Sequence, residues 1–125
     1  DAYLDTLDIL EPLKGKVAGN VHFFVGNVDV ARRFYDLNFT TSFTGVLTFA
    51  REYDDVVRFA PVDMILTETD APYAAPHPFR GKRSDPCMVR FVVQAIAGIT
   101  RLPEEKLGEQ IVANAIRVFG LGPLG

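Results

Sequence analysis

The stretch Asp63-Met64-Ile65-Leu66-Thr67-Glu68-Thr69-Asp70 joins a short apolar run to two carboxylates. The apolar run predicts a buried strand over residues 63–67. Glu68 and Asp70 then come just after the carboxyl end of that strand. Because the loops that follow parallel strands converge at one edge of a sheet, reactive groups collect there. The stretch therefore predicts both a strand and a candidate site at its end.

Two similar strands precede this one. Residues 17–25 form an apolar run interrupted by Gly19-Asn20 and His22, which favours a strand buried on both faces, and residues 39–44 are rich in Thr and Phe. Helical spacing of apolar residues predicts helices over 2–13, 28–37, 51–59, 86–99 and 103–119. This alternation predicts a parallel α/β sheet with right-handed crossovers. Three strands leave two open edges, so we expect something to complete the sheet.

The composition is that of a folded, slightly acidic protein. The 125 residues include 13 Lys and Arg against 16 Asp and Glu, a net charge of −3, and 48% are hydrophobic, which excludes a disordered chain. The single Cys87, expected to be buried at a helix start, cannot form an intramolecular disulfide. No apolar run approaches the roughly 18 residues that cross a bilayer, so no membrane contact and a cytoplasmic location are expected. A nucleic-acid partner would need a local basic patch.

His22 and the two carboxylates form a candidate metal site. An imidazole and carboxylates from neighbouring strand ends suit zinc through nitrogen, and magnesium or manganese through oxygen. Two other interpretations stay open. A histidine in a strand is often a satisfied core residue. The run Glu68-Thr69-Asp70 before Ala71-Pro72 is also typical of a turn cap.

Residues 68–86 contain four prolines and form a long irregular loop, which in a folded domain is usually functional. Three cations, Arg80, Lys82 and Arg83, are concentrated there and could bind phosphate. Arg80 and Arg83 could equally brace the loop by bonding its carbonyls or by pairing with Asp85. His77 is expected to be an ordinary surface residue. The sequence has no glycine-rich phosphate loop, nucleophile elbow or Cys-x-x-Cys pair, which argues against kinase, serine-hydrolase and redox functions.

The run from Leu66 to Tyr73, together with Pro78 to Pro86, resembles the signature of the TatD family of metal-dependent hydrolases and deoxyribonucleases. Three further segments resemble a strand end, the next strand with its turn, and the last helix of that family: Val21–Gly26, Phe43–Phe49 and Asn114–Leu121. The family fold is a (β/α)8 barrel, a type that needs about 250 residues. The resemblance implies that residues 1–125 are a single partial-barrel domain, in which the three predicted strands are strands six to eight.

The resemblance also implies a divalent metal, Zn, Mg or Mn, at the barrel mouth. His22 and Asp70 match metal ligands, and Asp70 and Glu68 are the catalytic residues that the resemblance implies. Asp70 would orient or deprotonate the attacking water, and Glu68 matches the acidic residue that accompanies Asp70. The family's other ligands, a His-x-His pair, a Glu and a further His, would precede Asp1. Two ligands do not hold a catalytic metal firmly, so this chain alone is expected to be inactive or nearly so. Phe23 and Val25 stand where the family usually has Cys and Ser.

The leading hypothesis is therefore part of a TatD-like hydrolase that cleaves phosphodiesters, with nucleic acid as substrate and Arg80, Lys82 and Arg83 near it. The alternative is a non-catalytic partial barrel that self-assembles through its exposed sheet edges. The expected partner is accordingly either the missing N-terminal barrel half or a second copy in a homodimer. A third interpretation, a different metal hydrolase such as an amidohydrolase, is disfavoured by the specific loop motif.

Overall fold

Three parallel strands form the centre of the molecule, with helices alternating between them. The computed structural model describes residues 1–122. The strands are β1 (Gly19–Val21), β2 (Phe39–Phe43) and β3 (Ile65–Thr67), in the sheet order β1-β2-β3. The helices are α1 (Ala2–Leu10), α2 (Val28–Asp36), α3 (Asp54–Phe59), α4 (Val89–Thr100) and α5 (Glu104–Phe119). The predicted order of elements and the parallel sheet are confirmed.

Both parallel ladders share the central strand. Thr41 is the register partner of Val21 on one side and of Ile65 on the other. In the described residues β1 and β3 each pair on one side, so each has one open edge. All three strands run the same way, and their carboxyl ends therefore lie along one edge of the sheet.

The predicted strand over 17–25 is too long. Only Gly19–Val21 are extended, because the left-handed backbone at Phe23, with φ of 50°, turns the chain immediately afterwards. Beyond the turn the Phe24 N–H donates to the Ser42 carbonyl at 2.9 Å, which keeps the segment against β2. His22, predicted inside the strand, instead lies in the turn after it.

Other predicted bounds also shift by a few residues. Residues 62–64 form a 3₁₀ turn rather than the start of β3, and the Met64 N–H donates to the Pro61 carbonyl. A 3₁₀ turn at Glu11–Leu13, with Pro12 in its first turn, ends α1 early. Cys87, predicted to be buried, is exposed because it lies in a 3₁₀ turn at 86–88 that precedes α4.

The core lies between the sheet and the helices and is centred on three phenylalanines. Phe24 meets Phe34 and Phe43 edge to face, with ring centroids 6.5 and 6.2 Å apart. All three rings are buried, and they join the loop after β1, α2 and β2. Within the described residues no helix is long and apolar enough to cross a membrane.

Asn114 attaches the last helix to the sheet. Its side chain is fully buried, and its amide nitrogen donates to the carbonyls of Val62 and Ile65, both at 2.9 Å. Its carbonyl oxygen accepts from the Gln110 amide at 2.8 Å. The Asn114 amide therefore satisfies the backbone at the start of β3, where a buried carbonyl without a donor would be costly.

We expect Asn114→Ala to lower the free energy of unfolding by about 2 kcal/mol, since it removes the donor of two backbone carbonyls. Gln110→Ala is the matched control on the same helix. It leaves the donor of both backbone carbonyls in place and unpairs the Asn114 Oδ1 alone, so it should cost less than Asn114→Ala. Urea denaturation of both variants gives the comparison, and equal losses would contradict a special role for Asn114.

A second prediction concerns Tyr35, whose hydroxyl lies 2.8 Å from the buried Thr41 Oγ1. Burial raises the pKa of Tyr35 from 10.0 to about 12, although the Thr41 hydrogen bond acts in the opposite direction. The neutral phenol is therefore favoured in the folded state. The contribution of the Tyr35 hydroxyl to the free energy of unfolding is fully present below pH 10. It is lost as the pH rises from 10 towards 12.

We therefore expect Tyr35→Phe to be less stable than the parent by about 1 kcal/mol at pH 8, where the hydrogen bond is lost. Between pH 10 and 12 this difference should shrink or reverse, because the variant has no phenol to ionise. Urea midpoints across this range provide the measurement. Tyr73→Phe, in an exposed ring, is the control, and a Tyr35→Phe profile parallel to that of the parent would contradict the prediction.

Candidate metal centre

Glu68 links the two outer strands at their carboxyl ends. Its own N–H donates to the Phe43 carbonyl at 3.0 Å, which extends the pairing between β3 and β2 by one residue. Its carboxylate accepts from the Phe23 N–H at 2.9 Å and contacts the His22 ring nitrogen Nδ1. A single side chain therefore holds the left-handed turn after β1 and orients the histidine beside it.

The contact with Glu68 determines how His22 presents its second nitrogen. Nδ1 lies 2.7 and 2.8 Å from the two Glu68 carboxylate oxygens. Because an ionised carboxylate only accepts hydrogen bonds, the contact favours the tautomer with the proton on Nδ1 and a lone pair on Nε2. The His22 side chain is 67% exposed, so the core-histidine interpretation is wrong.

Asp70 faces the free nitrogen of His22. Its Oδ1 lies 4.0 Å from His22 Nε2, and its side chain is 40% exposed. The turn that follows is closed by the Asp70 backbone carbonyl, which accepts from the Tyr73 N–H at 2.7 Å. The carboxylate is therefore available at the surface, and the turn-cap interpretation is not supported for this side chain.

The separation of these two atoms suits a shared cation. Two atoms bound to one zinc ion at about 2.1 Å can lie no more than about 4 Å apart, and Nε2 and Oδ1 meet that limit. Glu68 then takes the position of a carboxylate that orients a histidine ligand through its other nitrogen. In residues 1–122 no group of three or more His, Cys, Asp and Glu side chains is arranged to hold an ion. A metal site shared by His22 and Asp70 therefore stays a prediction.

The loop after Asp70 is held in place by backbone contacts. The Ser84 N–H donates to the Pro72 carbonyl at 2.9 Å, which ties the residue after the three cations to the turn beside Asp70. On the other side the loop lies directly on Gly45, where an added Cβ would stand 2.7 Å from the Ala74 carbonyl oxygen. Only glycine allows this approach at the end of β2.

The three predicted phosphate-binding cations are exposed along this loop. Among the described residues no carboxylate lies within 4.0 Å of Arg80, Lys82 or Arg83, and their side chains make no hydrogen bond. The interpretation in which Arg80 and Arg83 brace the loop is therefore wrong. Arg80 instead stacks on Phe49, with its guanidinium carbon 4.1 Å from the ring centroid. His77 is an exposed loop residue, as predicted.

Two features of the site were not expected from the sequence. Phe49 supports Arg80, although nothing in its local pattern pairs it with a loop some thirty residues later. The hydrogen bond from the Phe23 N–H to Glu68 was also missed. Phe23, a bulky residue next to His22, was one signal for this hydrogen bond. Its left-handed backbone needs a stabilising partner from elsewhere in the chain.

Comparison with known proteins identifies the family of this chain. The family described as TatD related DNase matches residues 1–120. The chain is 40% identical over 122 residues to the uncharacterized metal-dependent hydrolase YcfH of Escherichia coli, and 38% identical to its counterpart YabD of Bacillus subtilis. Each alignment covers 95% of this chain, but 46% and 48% of the relative. The chain thus spans about half the length of these relatives.

Solved structures show the same relation in the fold. The crystal structure of YjjV, a TatD homologue from Escherichia coli, superposes with a TM-score of 0.89 at 24% identity, covering 97% of this chain and 48% of that one. A TatD family hydrolase from Entamoeba histolytica gives 0.84 at 17% identity, with 94% and 48% covered. The three parallel strands and their helices therefore correspond to part of a TIM-type barrel wall. With the family matched along residues 1–120 and the fold reproduced, the chain belongs to the TatD related DNase family.

Proposed function

We propose that this chain contributes part of the active site of a metal-dependent phosphodiesterase that cleaves nucleic acid. The observation that carries the proposal is the meeting of His22, Glu68 and Asp70 from two strands that are not neighbours in the sheet. The relatives are named metal-dependent hydrolases, which agrees with such a centre.

In this proposal His22 Nε2 and Asp70 Oδ1 hold a divalent cation, and ligands from another part of the barrel complete its shell. When bound, such a cation lowers the pKa of a coordinated water and polarises the phosphoryl oxygen. Glu68 keeps the His22 ring in the tautomer that can donate a lone pair. Asp70, partly exposed at the mouth of the site, can orient the attacking water and accept its proton.

The basic segment, residues 80–83, supplies the phosphate contacts in the same proposal. Its three cations have no carboxylate partner in the part of the chain that the structure describes, so they meet an anionic backbone without first breaking an ion pair. The Ser84 to Pro72 hydrogen bond holds this segment near Asp70. Such contacts position a substrate without reading its sequence.

The test replaces the matched 122 residues of the Escherichia coli relative YcfH with this chain, which restores a full-length barrel. With Mg²⁺ or Mn²⁺ this chimera should cleave an end-labelled oligonucleotide, and chelation should stop the reaction. His22→Ala and Asp70→Ala should each lower the rate at least about a hundredfold, since either removes a ligand. His77→Ala, in an exposed loop histidine, is the matched control.

The chain alone should show no cleavage above background under the same conditions, because two ligands do not hold the ion firmly. A folded chimera without activity would sink the proposal, as would a double variant of His22 and Asp70 that cleaves as fast as the parent. Cleavage of a carboxamide but not of DNA would favour an amidohydrolase.

An open edge of the sheet offers a surface to which a partner can bind. We propose that the edge of β3, together with the adjoining groove between α4 and α5, receives the complementary segment, meaning the part of the longer relatives that this chain does not match. The groove has a volume of about 630 Å³ and its lining is largely apolar, with Val89, Val93, Gly108 and Val112 around Thr67. We prefer this occupant to a second copy of the chain because the relatives are about twice as long as this chain.

We expect the chain and the complementary segment of YcfH, expressed separately, to sediment as a one-to-one complex. Gly108→Leu should weaken that complex at least tenfold, because its side chain would fill the groove. Gly98→Leu is a matched control: among the described atoms an added Cβ meets nothing within 4 Å at either helical glycine, and Gly98 lies outside the groove. A homodimer that excludes the segment would instead support self-assembly, and a stable folded monomer that ignores it would contradict both.

A further inference from the structure

Tyr73 is the most exposed of the large apolar side chains in the described part of the chain, at 71%. The other three tyrosines are each at least partly covered. An aromatic ring left in water next to charged groups gains most by stacking on a flat partner. Its position, three residues after Asp70, makes it a candidate contact for substrate.

The backbone that carries this ring is held on both sides. The Tyr73 N–H donates to the Asp70 carbonyl at 2.7 Å, and the preceding Pro72 carbonyl accepts from Ser84 at 2.9 Å. The residues that follow shortly after, Ala75 and Pro76, are buried. The exposed ring therefore projects from an ordered turn, so little entropy is lost when a ligand stacks on it.

The same two hydrogen bonds place Tyr73 between two parts of the proposed site. One connects it to Asp70, which faces the histidine nitrogen, and the other connects its turn to Ser84, the residue after the basic segment. Along the chain and through these two hydrogen bonds, Tyr73 therefore lies between the candidate ligand Asp70 and the segment that carries the three cations. A nucleic-acid strand offers phosphates to charged groups and bases to aromatic rings.

We propose that Tyr73 stacks on the nucleobase adjoining the phosphate that is bound at His22 and Asp70. This inference rests on the proposed function and adds a positioning residue to it. Stacking tolerates every base, because each has a flat π face, while the cations of the basic segment contribute through phosphate charge alone. Tyr73 should therefore decide whether the site distinguishes a strand with bases from a bare sugar-phosphate backbone.

The experiment compares a thymidine oligonucleotide with an abasic oligonucleotide of equal length and charge, in chelator and at low salt. The chain should bind the thymidine strand about tenfold more tightly. Tyr73→Ala should abolish this preference, while Tyr73→Phe should keep it. Arg83→Ala should weaken binding of both strands equally, since it removes a phosphate contact.

The absence of tryptophan from the sequence provides a direct probe. Tyr73→Trp introduces a single indole whose fluorescence should be quenched by the thymidine strand and not by the abasic strand. Phe119→Trp, at another exposed aromatic position on α5, is the control and should not respond.

Equal binding of the two strands by the parent chain, or a preference that survives Tyr73→Ala, would overturn the inference. A third outcome would also overturn it: the indole fluorescence of Tyr73→Trp responds to the complementary segment of YcfH and no longer to the oligonucleotide. The ring at position 73 would then contact protein and not a base. Because binding is measured without metal, these outcomes are separate from failure of the hydrolase proposal.

Discussion

The carboxylate of Glu68 is the group on which the geometry of the site depends. It accepts the Phe23 N–H, which stabilises the left-handed turn after β1, and it fixes the proton of His22 on Nδ1. Both contacts cross from β3 to β1, over the end of the strand between them. Without this carboxylate the turn would lack its acceptor and the histidine would be free to rotate away from Asp70.

The fold places that carboxylate through the parallel arrangement of three strands. Their carboxyl ends coincide because each connection returns the chain to the same starting edge. Buried phenylalanines hold α2 and the loop after β1 against β2, and Asn114 secures α5 to the start of β3. Two of these phenylalanines adjoin the candidate metal centre, since Phe24 follows Phe23 and the Phe43 carbonyl accepts from the Glu68 N–H. The Asn114 contacts lie at the opposite end of β3.

In the loop at 68–86, the groups that hold the path of the chain are not the groups that face the solvent. Buried residues and backbone hydrogen bonds hold the path, as Gly45 and the Ser84 N–H show. The side chains of Tyr73 and of the three cations Arg80, Lys82 and Arg83 are left at the surface, where they can meet an anionic partner. An ordered loop with exposed cations loses less conformational freedom on binding than a mobile loop would.

The order of elements, the parallel sheet and the residues of the candidate site could be predicted from the sequence, because apolar periodicity and position after a strand are local properties. The loop and its cations could be located in the same way. Tertiary packing was needed to establish that β1 stops before His22, that Glu68 orients this histidine, that Arg80 rests on Phe49, and that Cys87 is exposed. Each of these depends on atoms distant in the chain, whose meeting is set by packing and not by local pattern.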